Sequence, residues 1–287
     1  MAGSPPDRPK PLRGEGRLSR RVTDLLLVVV TLLPVLLVYL LPADTSFSQV
    51  QKVGAIAACV PTNSPPLSTA GNAADPGFDV TLLREIARRL GVALTINANP
   101  LIAQDFNPRA WGITRAGCQI VAGGIIITPQ TRSFLETLPT GIETGWTVIE
   151  KGDAPLAKGQ KVGVFPGFGG LDRVSLSRVL RAHGLEIALA PTAAALAQGL
   201  ANGTFDIGVT EGLNARRIVD GLPGWQVAWL PEASNRASLG LGLWKGDLTL
   251  KQHIEDVLSS LESEGFVRQL EQHYDIAPVE RTAAFAQ

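Results

Sequence analysis

Histidine and cysteine are scarce in this chain, with three of the first and two of the second among 287 residues. His183, His253 and His273 lie on predicted helices at no metal-ligand spacing. Neither Cys59 nor Cys118 has a histidine near it in sequence. A metal site built from closely spaced His and Cys ligands has no support. The nucleophile-elbow pattern G-x-S-x-G, the zinc motif H-E-x-x-H and a Walker loop are all absent. These absences remove the commonest signatures of hydrolases and nucleotide-driven enzymes. "PGFGG" at 166–170 is no dinucleotide fingerprint, because G-x-G-x-x-G from Gly167 needs glycine where Asp172 stands.

A clustered basic surface is lacking too. Lys plus Arg and Asp plus Glu each number 26, so the formal net charge is zero. Residues 1–21 hold six bases and two acids, net +4, which leaves 20 bases and 24 acids, net −4, for the remainder. A nucleic-acid interface needs its bases on a folded face, and this excess sits in a Pro- and Arg-rich arm. That arm is expected to be disordered and cytoplasmic.

One long apolar run is present. Residues 25–41, "LLLVVVTLLPVLLVYLL", contain no charge over seventeen positions, the short end of what crosses a bilayer. Its basic flank precedes it, which orients the rest of the chain to the outside. Residues 22–42 are therefore expected to form a transmembrane signal anchor or, alternatively, a cleaved signal peptide. The protein is then placed on the periplasmic side of the inner membrane, anchored there or soluble after cleavage. In that oxidising compartment the pair Cys59 and Cys118 favours a disulfide over two buried free thiols.

After a short polar linker at 43–50, strand and helix patterns alternate. "VGAIAACV" (53–60) reads as a buried strand and "PTNSPPL" (61–67) as a loop. "GFDVTLLREIARRLG" (77–91) is the clearest amphipathic helix, with Asp79 placed to cap its start and Gly91 its end. "VALTINA" (92–98) completes a βαβ unit, which requires parallel strands. "AGGIIITPQTR" (122–132) reads as a strand buried on both faces, stopped at Thr128-Pro129. A second series runs from "KVGVF" at 161 through "FDIGVT" at 205. "KVG" opens strands at 52 and 161, and "KGD" follows strands at 151 and 245. These echoes suggest two similar α/β lobes, one from 50–150 plus 245–280 and one from 151–244.

At this point "GFDVTLLREIARRLGV", "ITPQTR", "NGTFDIGVTE", "LGLWKGD" and "EGFVRQLEQHYD" stand in the order and spacing of a known family. The chain resembles the periplasmic solute-binding proteins of family 3, the polar-amino-acid type that serves ABC importers, over residues 52–276. The resemblance implies a type II periplasmic-binding fold: two parallel-sheet α/β lobes joined by two crossing segments, closing on a small polar ligand. The ligand would be an amino acid or related carboxylate, handed to an ABC permease, with no cofactor. "CVPTNSPPLS" with "RAGCQIV" is also similar to a sub-branch associated with quinoprotein alcohol dehydrogenases, which implies a periplasmic accessory role instead. An enzyme of the same fold, of the cyclohexadienyl dehydratase type, is a third reading that no residue specifically supports.

The resemblance also assigns a site. Arg132, one position beyond the family's arginine, would hold the ligand carboxylate bidentately; its other reading is a solvated residue in the first turn of the following helix. Glu211, five residues after Asp206, would face the ligand's amine; its other reading is a cap for the following helix. Gly124 and Ile125 stand where the family lines its strand with hydroxyl residues. Gly167, Phe168 and Gly169 replace its anion turn, and Ser64 replaces an aromatic residue. Trp111, Trp146 and Phe168 are candidates for stacking on a ligand or for packing.

Overall fold

The computed structural model describes residues 20–39, 43–102, 105, 107–153, 155–167, 170–231, 236–276 and 278–286. The expected disordered arm lies, but for its last two residues, outside these. The chain divides into two compact units, Met1–Ala43 and Asp44–Gln287.

In the first unit, helix α1 spans Arg20–Tyr39 and contains Pro34. Among the described residues no helix is long and apolar enough to cross a membrane. The spanning segment expected over 22–42 is thus not supported, and its last three residues lie outside those described.

The second unit begins with a correction. The residues expected to form a linker make helix α2 (Ser46–Val53), with Val50 buried. Asp44 is the cause: its carboxylate accepts the N–H of Ser46 and that of Thr249. Partial burial pushes the Asp44 carboxyl up, but hydrogen bonds from the backbone and side chains of Thr249 and Ser46 together outweigh it and hold the group at about 2. Strand β1 (Ala55–Val60) follows, then the two-residue strands β2 (Asn63–Ser64) and β3 (Ser68–Thr69). Between these two, the Pro65–Pro66 peptide is cis.

Helix α3 (Phe78–Leu90) ends at Gly91 in the left-handed region, as its sequence requires. Leu82, Leu83 and Ile86 bury its inner face completely or nearly so. Its start differs from expectation, since Gly77 is the N-cap and no side chain caps the turn. Strand β4 (Ala93–Ala98), a 3-10 turn (Pro108–Trp111) and strand β5 (Ile120–Ile126) come next. All of β5 is buried, as its isoleucine run predicts. Helix α4 (Pro129–Phe134), capped by Thr128, leads into β6 (Leu135–Thr144).

The chain then passes through β7 (Trp146–Lys151), β8 (Lys161–Val164), α5 (Arg173–Ala182), β9 (Glu186–Leu189) and α6 (Ala193–Ala201). Then follow β10 (Ile207–Glu211), α7 (Gly212–Val219), β11 (Trp225–Trp229) and β12 (Ala237–Trp244). Helices α8 (Leu248–Ser263) and α9 (Phe266–His273) complete the regular elements.

Two five-stranded sheets result, ordered β4-β1-β5-β12-β6 and β11-β7-β10-β8-β9. Both are mixed rather than parallel. β12 runs antiparallel to β5 and β6, and β7 antiparallel to β10 and β11. The parallel rule holds only where a helix crosses over between strands. β7 is entered straight from β6, and β12 follows β11 with no described helix between, so each is free to pair antiparallel. The passages between sheets fall at Gly145 and between Trp229 and Ala237, earlier than the two "KGD" turns that mark them in the sequence.

A third passage is new. Beyond α9 the chain returns to the second sheet, where Trp229 pairs with Thr282 and Leu156 with Phe285. Val279 and Ala283 are buried there, and Trp229 Nε1 donates to Val279 O at 2.6 Å.

Candidate ligand site between the lobes

The site is built from strand ends. β1 runs out into the Pro61–Pro65 loop, and Pro100 and Ile102 lie just past the carboxyl end of β4, its parallel neighbour. From the second sheet, β8 runs out into Phe165 and Gly167, and α7 contributes Asn214 from its first turn. Together Pro61, Thr62, Asn63, Ser64, Pro65, Pro100, Ile102, Phe165, Gly167 and Asn214 line a cavity of about 350 Å³. Ligands in α/β sheets bind off the carboxyl ends of strands for this topological reason, and the volume is that of a small-molecule site. Arg217 Nη1, on α7, donates to Pro65 O across the cleft at 3.3 Å.

Gly167 lines the cavity in the left-handed region, φ +61°. A Cβ added there would lie 2.6 Å from Glu211 Cγ, so only glycine fits. Ser64, buried, also lines the cavity. These two are the residues of the expected set that the structure brings together. Phe168 and Gly169 lie outside the described residues.

The other expected contacts are placed elsewhere. Glu211 is fully buried. Its carboxylate accepts Thr144 Oγ1 at 2.7 Å, Leu213 N at 3.1 Å and Asn214 N at 2.7 Å. It is the N-cap of α7, so the capping reading holds and no oxygen faces the cavity. Burial pushes its carboxyl up from the ordinary range, while these hydrogen bonds pull it back.

Arg132 is exposed on α4; its backbone N–H donates to Thr128 O at 2.9 Å, and its guanidinium makes no hydrogen bond or ion pair with a described residue. It does not line the cavity. Gly124 and Ile125 are buried within β5. Trp146 and Trp111 pack in the core, with Trp146 Nε1 donating to Asp172 O and Trp111 Nε1 to Asp105 O.

Behind the cavity lies a contact with no sequence signal. Asp79 Oδ2 accepts Gly123 N at 2.7 Å and Gly124 N at 3.2 Å. Both glycines have positive φ, +91° and +102°. A Cβ on Gly123 would meet Pro61 Cδ at 2.2 Å. Burial pushes the Asp79 carboxyl up to about 6, against the pull of the two N–H groups. The Cys59–Cys118 disulfide, with Cα atoms 5.6 Å apart, belongs to the same apolar cluster as Ile102. The expected pairing is therefore present, and it braces the first-lobe wall. Among the described residues no group of three or more His, Cys, Asp or Glu could hold a metal ion.

Asn63, Thr62, Phe165 and Asn214 were not expected as site residues. The "PTNSPP" loop is legible as a loop, but its position over the cleft depends on β1 lying between β4 and β5 in its sheet. Phe165 and Asn214 come from the other lobe, which only the fold brings opposite.

Two α/β lobes, facing each other across a cavity at their strand ends, define a two-lobe solute-binding fold. The chain belongs to the bacterial extracellular solute-binding proteins, family 3, whose model matches residues 56–276. Among solved structures, an ancestral cationic amino acid solute binding protein aligns with TM-score 0.63 at 18% identity, covering 80% of this chain and 99% of that one. A mutant of ArgBP from T. maritima aligns at 0.55 and 21% identity, covering 81% and 100%. An ancestral arginine-binding protein bound to glutamine aligns at 0.54 and 21%, covering 77% and 97%. At these identities the likeness is one of fold. No curated protein matches the sequence.

Proposed function

We propose that this protein binds a small polar ligand between its lobes outside the cytoplasm, closes on it, and delivers it to an ABC importer. The observation that carries this reading is the cavity walled by both lobes, with Arg217 reaching Pro65 across it. A hinge that closes such a cavity needs no catalytic group, and the role proposed is binding without turnover. The compact body from Asp44 onward is the exported part, and the apolar segment before it is the export signal.

The neighbouring structures carry titles naming arginine and glutamine. In the family pattern Arg132 and Glu211 are the residues to meet such a ligand, and neither lines this cavity. The test is calorimetric titration of small metabolites, paired with X-ray scattering that reads closure as a fall in radius of gyration. Saturable binding without compaction would sink the hinge mechanism.

A second reading, an accessory protein of a quinoprotein alcohol dehydrogenase, draws on the Cys59–Cys118 disulfide. Its cysteines stand at the positions that mark that sub-branch. Co-purification with a dehydrogenase, and no bound metabolite, would favour it.

A further inference from the structure

Resting on the reading of the cavity as the ligand site, we infer that its ligand is an uncharged molecule bearing hydroxyl or amide groups, not a zwitterion or a carboxylate. The lining carries the observation. Thr62, Asn63 and Ser64 line the cavity, and their side chains make no hydrogen bond with another described residue. Their donors and acceptors are therefore available. Asn214 lies on the opposite wall, and Phe165 and Ile102 supply apolar surface. Among the described lining residues there is no Asp, Glu, Lys or Arg. Phe168 and Gly169, which follow Gly167 in sequence, are uncharged as well.

A charged group entering this space loses its hydration and meets no charged side chain among the described lining residues, the Arg217 guanidinium at the rim already donating to Pro65 O, so its cost is far larger than that of a hydroxyl or amide. The charged side chains nearby are engaged or turned elsewhere. Glu211 is fully buried and held by Thr144 and the first turn of α7. Arg217 donates to Pro65 O at the rim. Hydroxyl and amide side chains both give and accept hydrogen bonds, so they match ligand groups that do the same. A neutral ring or chain also has an apolar face to lay on Phe165.

The experiment uses the full chain and thermal unfolding with two probe sets. The uncharged set is glucose, myo-inositol, glycerol and acetamide; the charged set is L-arginine, L-glutamine, L-glutamate and succinate. In parallel, compounds retained after dialysis against a bacterial metabolite extract are identified by mass spectrometry. The expected result is that the ligands raising Tm, and those retained, are uncharged. Asn63→Ala then weakens the best of them at least about tenfold with the unliganded Tm unchanged. Retention of charged ligands, with binding lost in Arg132→Ala, overturns this inference and leaves the solute-binding reading intact. No Tm shift and no retained compound of either kind overturns the solute-binding reading, and this inference with it.

Discussion

The carboxylate of Asp79 accepts the backbone N–H of Gly123 at 2.7 Å, joining positions 44 apart in sequence. It fastens the first turn of α3 to the strand that leads to the cleft. Burial raises this carboxyl from 3.8 to about 6, so between those values the folded chain holds a proton that the unfolded chain releases. Stability contributed by the protonated form is therefore lost as pH rises from about 4 to about 6, ~3 kcal/mol in full. Asp79→Asn keeps an acceptor oxygen and removes the titration. Urea unfolding across this pH range should show the wild type losing about that much more than the variant. Parallel pH profiles would rule the assignment out.

Cys59→Ala with Cys118→Ala tests the disulfide. The bridge spans 59 positions, and opening a loop of that size costs ~4 kcal/mol in the chain-entropy model. The double variant should show that loss in chemical unfolding, while a reducing agent should move the wild type and leave the variant unmoved. A loss below ~1 kcal/mol would mean that the first-lobe core holds this loop closed without the bridge.

The C-terminal strap predicts a separate loss. Arg281 reaches Asp153 at 2.7 Å, Glu150 at 3.3 Å and Gln226 at 2.7 Å. Glu150 is buried, and its Oε2 has no described partner. Arg281→Ala leaves that carboxyl further from any counter-charge and should cost ~1–3 kcal/mol. Removing residues 278–287 should cost more, because Trp229 loses its bridge partner Thr282 and its indole acceptor Val279 O. Limited proteolysis of the second lobe would report it, and an unaltered digestion pattern would contradict the strap's role.

Glu211 and Arg132 separate by what their removal does to the unliganded protein. Glu211→Ala deletes the acceptor for Thr144, Leu213 and Asn214 and should lower stability by ~1–3 kcal/mol. Arg132→Ala deletes an exposed side chain with no described partner and should stay within ~0.5 kcal/mol. The reverse ranking in thermal unfolding would show that the carboxylate, not the guanidinium, is the dispensable group.

Much of this protein is determined by its sequence alone. The isoleucine run makes β5 a strand buried on both faces, and the apolar stripe with Gly91 makes α3 a helix with a defined end. Motifs in register fix the family. These are properties of neighbouring residues, and local periodicity records them. Only the tertiary structure decided which strands run antiparallel, because that depends on where the chain crosses between lobes and not on any strand's own residues. It also decided what the charged residues do. Asp79, next to a helix start, reads as a cap, yet it binds glycines from another element. Glu211 reads in sequence as a cap or as a ligand contact, and in the fold it is fully buried and caps α7. A carboxylate takes whichever N–H groups the fold brings within reach while excluding water, and that set is assembled from residues far apart in the chain.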